Sequence, residues 1–263
     1  VLIAQVTDTH ISANGTQAAY LTETLTFIAA LQPRPVAIVM SGDLVDSGRA
    51  EEYTRLRDIL ARCDLPIYVV PGNHDRRGPL RAVLPQAHFP GTRGERLDYT
   101  IEASPLRLIA LDSSKPRRSG GFLDDAALAW LNETLTDAPD RPTLLFMHHP
   151  PFRTGVNAAD MLGFRGVRRF RAIVAAHPAL QRIVGGHIHC ERSATIGGAL
   201  ATTSISSAPQ HVPELFERHI LGLRNEPPGF ALHLWNGSTF TSTTYVNLGA
   251  GRFVERNAAA LGS

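Results

Sequence analysis

Short apolar runs and helical apolar spacings alternate through the first third of the chain. Each apolar run ends in a polar motif. Leu2 to Val6 predicts a strand that runs out at Asp8-Thr9-His10. Leu21, Leu25 and Ile28 recur at helical spacing, and Pro33 and Pro35 end that helix. Val36 to Met40 predicts a buried strand that delivers Gly42-Asp43. Tyr53, Leu56 and Leu60 mark a second helix. Pro66 then opens a strand over Ile67 to Val70, which delivers Gly72-Asn73-His74-Asp75. The order β-α-β-α-β predicts a parallel sheet with right-handed crossovers.

Beyond this point the rhythm changes. Leu97 to Ile101 and Leu106 to Leu111 predict adjacent strands. Asp124 or Asp125 caps a helix whose inward stripe is Leu128, Leu131 and Leu135. Thr143 to Met147 predicts a buried strand ending at His148-His149-Pro150-Pro151. A helix is expected over Arg168 to Ala176, then a strand over Leu180 to Val184 that ends in Gly186-His187-Ile188-His189. Trp235-Asn236-Gly237-Ser238 reads as a hairpin turn between Phe230–Leu234 and Phe240–Val246, and the stretch from Asn257 as a frayed tail. The expectation is a single domain over 1–263, with 212–263 as a C-terminal strand and hairpin extension.

Length and composition narrow the class. A chain of 263 residues buries a substantial α/β core. A formal charge of +2 demands no nucleic-acid partner. Lys115 is the only lysine, so the positive charge is nearly all arginine, which reads as a compositional bias. Cys63 and Cys190 do not make a disulfide framework. No apolar run reaches the length of a membrane span. The expected location is the cytoplasm, with no membrane partner and no stable nucleic-acid partner. The C-terminal hairpin leaves pairing with a second copy, a homo-oligomer, open.

The five polar motifs supply carboxylate, imidazole and side-chain amide, without a thiolate. That donor set suits a pair of borderline-hard metals. Two close metals need a bridging ligand, and Asp43, alone at a strand end, is the candidate. Asp8 and His10 are two residues apart, as are His187 and His189, so each pair reaches one centre. Asn73 offers a neutral carbonyl oxygen. His148 follows an apolar strand, in a loop stiffened by prolines. Each motif alone is weak: a D-x-H triplet is common, and a lone histidine is more often packed than ligating. Together, in this order and beside apolar strands, they are specific.

The order DTH, GD, GNHD, HHPP and GHIH resembles the calcineurin-like metallophosphoesterases. Within them it is similar to the branch of class III cyclic-nucleotide phosphodiesterases and glycerophosphodiesterases. The resemblance covers Val1 to about His211. It implies a four-layer αββα sandwich, two mixed β-sheets flanked by helices. It also implies two metal ions, divalent or trivalent, drawn from Mn, Fe, Zn and Co. One would take Asp8, His10, Asp43 and His189; the other would take Asp43, Asn73, His148 and His187. His74 would be the catalytic residue near the leaving group, either donating a proton or supporting a neighbouring ligand. The implied reaction is hydrolysis of a small phosphodiester, a cyclic nucleotide or glycerophosphodiester, by a metal-activated water attacking phosphorus. Asn73, His74 and His211 are the expected substrate contacts.

Departures refine this reading. Ser47 stands where the Ser/Thr protein phosphatases carry an arginine. The rival readings are a phosphomonoesterase or nuclease of the same fold, and a non-catalytic metal-binding scaffold. Asp43, Asn73 and His148 are all present, which argues against the scaffold. Arg165, Arg168, Arg169 and Arg171 read as a solvated face, and Cys190 as a small buried residue.

Overall fold

The computed structural model describes residues 1–92, 94–208, 210–211, 223–224 and 227–246. The expected tail from Asn257 lies outside them, as does most of 212–263 apart from the hairpin. In chain order, strand β1 (Leu2–Val6) leads through helix α1 (Gln17–Ala30) to β2 (Ala37–Ser41). Helix α2 (Ala50–Leu60) leads to β3 (Ile67–Val70), which is followed by helix α3 (Arg77–Val83). Strands β4 (Tyr99–Ala103), β5 (Leu106–Ala110) and β6 (Gly121–Phe122) precede helix α4 (Asp125–Asp137). Next come β7 (Thr143–Phe146), α5 (Asn157–Leu162), β8 (Phe164–Arg165) and α6 (Val167–Ala176). Strands β9 (Leu180–Gly185), β10 (Arg192–Ile196), β11 (Ala199–Thr203) and β12 (Gln210–His211) follow. The last are β13 (Leu223–Arg224), β14 (Gly229–Trp235) and β15 (Phe240–Val246).

The strands form two mixed sheets. One runs β15-β14-β1-β2-β3, with β1, β2 and β3 parallel. The other runs β10-β11-β9-β7-β5-β4, with β5, β7, β9 and β11 parallel. Alternation along the strands divides the core. Leu108, Leu144, Phe146 and Val184 join the cluster that holds Ile3, Ile38 and Val69 of the first sheet. The intervening Ile109, Leu145 and Ile183 pack on Leu128, Leu131, Phe170 and Val174 of α4 and α6. Leu21, Leu25 and Ile28 of α1 and Tyr53 and Leu56 of α2 cover the first sheet. The result is the expected four-layer αββα sandwich.

Local chemistry fixes the helix ends. Asp124, not Asp125, caps α4, its carboxylate accepting the Ala127 N–H at 2.9 Å. Glu52 accepts the N–H of Arg49 and of Ser47, each at 3.0 Å, and so closes the start of α2 onto the Gly42–Ser47 loop. In the C-terminal hairpin, Asn236 Oδ1 accepts the N–H of Ser238 and Thr239, with Gly237 at φ +107°. Strand β14 lies between β1 and β15, so the hairpin is built into the first sheet.

Candidate metal centre

Asp8, Asp43 and Asn73 follow β1, β2 and β3, and His148 and His187 follow β7 and β9. Every expected metal-binding motif therefore lies at the C-terminal end of a parallel strand, where loops of the two sheets meet. The loops are tied in pairs. Asp8 N–H donates to Gly42 O at 3.0 Å, and His10 N–H to Asp43 O at 3.0 Å. Gly186 N–H donates to His148 O at 2.9 Å. Across the two sheets, His187 N–H donates to the Asp8 carboxylate at 3.0 Å.

The expected ligand atoms converge. His10 Nε2 and His189 Nε2 are 3.1 Å apart, and His189 Nε2 is 3.3 Å from Asp8 Oδ1. His148 Nε2 is 3.1 Å from Asn73 Oδ1. Asp43 Oδ2 lies 3.7 Å from His10 Nε2 and 3.4 Å from His148 Nε2, between the two groups. The His187 ring stands beside that of His148, with centroids 5.1 Å apart. Two ligand atoms on one ion with ~2.1 Å bonds would be about 3.0–3.4 Å apart, depending on geometry. The donor set fits a metal pair on charge as well. Asp8 and Asp43 are buried, and their ion-pair partners are histidines, with no Lys or Arg within salt-bridge distance among the described residues.

The backbone is strained at these positions. Asp8, His10, Asp43, His187 and His189 take φ of +52°, +42°, +47°, +74° and +47°. Arg117 is the only other non-glycine residue with positive φ among the described residues. Each such residue costs about 1–3 kcal/mol, which persists only where surroundings enforce it. Two glycines permit the crowding. A Cβ on Gly72 would sit 2.1 Å from Asp43 Oδ1, and one on Gly42 would sit 2.5 Å from His148 Nδ1.

Supporting contacts set protonation. His148 Nδ1 donates to Ser41 O at 2.9 Å, which turns Nε2 toward Asn73 and Asp43. His148 is pushed up to about 9, since Asp43 and Asp8 outweigh burial. Burial raises the Asp8 and Asp43 carboxyls, but neighbouring imidazoles outweigh it and hold both below the usual range. Burial and the charge of His148 hold His187 down at about 3.

His149 is close to the cluster yet differs from its neighbour. Its Nε2 donates to Ser119 O at 3.1 Å, so its Nδ1 accepts from Ser113 Oγ at 2.9 Å. With both nitrogens engaged it offers no lone pair to a metal. Burial and the charge of His148 hold its pKa well below the ordinary value.

His74 N–H donates to Asp43 Oδ1 at 2.9 Å, and His74 Nδ1 is 2.6 Å from Asp46 O. A carbonyl only accepts, so Nδ1 carries a hydrogen. Sequence reasoning passed over Asp46, whose Oδ1 is 3.6 Å from His10 Nδ1; its position three residues after Asp43 was the available signal. Asp75 hydrogen-bonds within the loop region, accepting from Tyr53 Oη and from the N–H of Leu44 and Gly72.

A cavity of about 600 Å³ opens over the centre. His10, Asp43, Asn73, His74, His187 and His189 line it. Asp8 and His148 lie beneath it, fully buried. His211 is placed only as backbone of β12, and its side chain lies outside the described residues. The segment after β11 does reach the cavity, through Ala208. The arginine cluster reads as surface: Arg169 pairs with Asp125, and Arg165 stands over the Phe122 ring. Cys190 is buried against Val156 and Ile188.

Comparison with known proteins adds four observations. A family profile described as calcineurin-like phosphoesterase matches residues 1–191. The chain is 31% identical over 258 residues to a probable glycerophosphodiester phosphodiesterase GpdQ of Arcobacter nitrofigilis, covering 94% of this chain and 93% of that one. It is 30% identical over 221 residues to the 3',5'-cyclic adenosine monophosphate phosphodiesterase CpdA of Pseudomonas aeruginosa, covering 81% and 78%. In structure it is similar to a dimetal phosphatase from Danio rerio. That match has a TM-score of 0.72 at 16% identity, covers 92% and 95% of the two chains, and speaks to fold alone. Among the described residues, no helix is long and apolar enough to cross a membrane.

Proposed function

Because the chain belongs to the calcineurin-like phosphoesterases, we propose that it is a binuclear metal-dependent phosphodiesterase acting on small phosphodiesters. The observation that carries this reading is the position of Asp43 Oδ2, within 3.7 Å of His10 Nε2 and 3.4 Å of His148 Nε2. A carboxylate between two imidazole groups is placed to bridge two ions. Asp8, His10 and His189 would complete one site with Asp43; Asn73, His148 and His187 would complete the other. This nitrogen and oxygen donor set accepts Mn, Fe, Co or Zn. When bound, the metals would neutralise phosphate charge and activate a water.

The chain's own residues would do the rest. His74 lines the cavity, and its Nε2 would pass a proton to the departing oxygen while Asp46 O holds the ring in one tautomer. Among the described residues, no arginine or lysine lines the cavity. That favours a monoanionic diester over a dianionic monoester, which needs more compensating positive charge. Glycerophosphodiesters and cyclic nucleotides are the substrate candidates carried by the relatives. The free thiols of Cys63 and Cys190 fit the cytoplasm as the working compartment.

Two measurements test the proposal. Elemental analysis of Asp43→Ala should find both metals depleted, whereas Asn73→Ala should lose mainly one; two tightly held ions in Asp43→Ala would defeat the bridge. For metal-reconstituted enzyme, kcat/KM for bis(p-nitrophenyl) phosphate should exceed that for p-nitrophenyl phosphate at the same pH. A monoester advantage would move the protein to the phosphatase side of the family.

A further inference from the structure

The cavity over the metal centre has two chemically different sides. One carries Asp46, His74 and Gln17, whose Oε1 is buried without a partner. The other is apolar: Val156, Ala158, Ala159 and Leu162 from α5 and the residues flanking it, with Ile188 and Ala208. Six residues of α5 are too few to hold a helix by themselves. The segment is fixed from outside. Asp160 accepts the N–H and Oγ1 of Thr154, at 2.8 and 2.9 Å, and the N–H of Gly155 at 3.0 Å. Arg192 Nε donates to Thr154 O at 3.1 Å. Val156 packs on Ile188 and Cys190, with Ala159 against them. The wall is thus continuous with the loop that bears His187 and His189.

We propose that this wall, with Leu162 at its edge, is the specificity surface for the ester group that stays on phosphorus after cleavage. Its substrate class is the phosphodiester whose retained group presents an apolar or aromatic face and carries no second phosphate. The inference rests on the phosphodiesterase reading above. In-line attack puts the water opposite the departing oxygen, so the retained ester lies in the plane between them, turned away from the metals that would hold the other two oxygens. His74 serves the departing oxygen on the polar side, so the retained group lies on the apolar side. Among the described residues no Arg or Lys lines the cavity, so a second phosphate there would meet no cation from them. A small group such as methyl, or a polar one such as glycerol, would leave the wall largely uncovered.

Substrates with one leaving group and different retained groups isolate this contact. Bis(p-nitrophenyl) phosphate and methyl p-nitrophenyl phosphate both release nitrophenolate; one retains an aryl group and the other a methyl. Leu162 is 44% exposed, so Leu162→Asn removes apolar wall without disturbing a core. Met161 is 71% exposed on the same helix, is not among the residues lining the cavity, and serves as the control through Met161→Asn. In Leu162→Asn the ratio of kcat/KM for the aryl over the methyl diester should fall by about tenfold, the scale of losing a hydrophobic contact in a pocket. The methyl diester and the metal content should be unchanged, and Met161→Asn should match the parent on both substrates. An unchanged ratio in Leu162→Asn, or an equal loss on both substrates, overturns the wall. Absence of turnover of either diester by the metal-loaded parent overturns the phosphodiesterase reading instead.

Discussion

At the scale of single residues, the centre is held by backbone that few sequences would adopt unaided. Five of the expected ligands stand at positive φ, and the loops bond to one another rather than to solvent. Gly72 is where this crowding is most easily probed. Its alanine Cβ would lie 2.1 Å from Asp43 Oδ1 and 2.4 Å from Asp43 N, and the backbone nitrogen cannot step aside. Gly72→Ala should therefore destabilise the fold by about 1–3 kcal/mol in urea titrations and deplete both metals. Wild-type metal content in that variant would show the loop to be more compliant than its contacts require. His74→Ala should fold, keep its metals and lose about 10²–10⁴-fold in turnover. The loss should shrink for nitrophenyl esters relative to alkyl esters, because a good leaving group needs little protonation. Equal losses would remove His74 as the acid. The motifs of the candidate ligands and their order were legible in the sequence because each follows an apolar run. The strained φ values and the distinct task of His149 were not. They depend on partners such as Ser113 and Ser41, which are distant in sequence.

At the scale of elements, α2 does more than cover a sheet. Tyr53, on its buried face, donates to Asp75 Oδ1 at 2.8 Å and accepts the Arg76 N–H at 2.9 Å. Asp75 Oδ2 meanwhile accepts from Leu44 N–H at 3.1 Å and Gly72 N–H at 2.8 Å. One buried carboxylate thereby joins the Asp43 loop, the Asn73 loop and the helix between them. Burial and then the Asp43 charge push Asp75 up to about 6, and the donors around it work in the other direction. Tyr53→Phe would leave an oxygen of Asp75 and the Arg76 N–H unpaired. The expected cost is about 1–3 kcal/mol in stability, with metal affinity weakened by about tenfold through the loops. Chemical denaturation and competition with a chelator measure the two; loss of neither would mean the clamp is redundant. The periodicity of Tyr53, Leu56 and Leu60 announced the helix but not this task. Helix α5 was illegible for a different reason: six residues cannot display a period, and its anchors, Asp160 and Arg192, become partners only in three dimensions.

At the scale of the whole molecule, the first sheet is closed by strands from opposite ends of the chain. The five-residue strand β1 pairs with β2 on one side and with β14 on the other. Sequence rhythm gave the parallel neighbours, since short crossovers place sequential strands side by side. It could not give the β1–β14 pairing, whose partners lie more than two hundred residues apart, as with Leu2 and Leu234. That seam contains a buried polar chain. His233 Nδ1 is 2.7 Å from Ser242 Oγ, and His233 Nε2 is 3.1 Å from Gln5 Oε1. Gln5 Nε2 in turn donates to Ser41 Oγ at 2.9 Å and to Gly185 O of the other sheet at 2.8 Å. Burial, and then the charge of Arg182, lowers His233 to about 3. The folded protein therefore holds this imidazole neutral where the unfolded chain, with a pKa near 6.5, takes up a proton. The stabilising contribution is complete above about pH 6.5 and is lost as the pH falls toward 3. Between pH 7 and pH 5 it amounts to about 2 kcal/mol. His233→Gln should be less stable than the parent at pH 7, having lost a fitted partner for Gln5. Its stability should nonetheless fall less steeply on acidification, by about that 2 kcal/mol. Urea unfolding of both proteins at pH 7 and pH 5, with chelator present so that metal release does not contribute, gives the comparison. Parallel declines would place the acid sensitivity elsewhere and leave His233 as a packing residue alone.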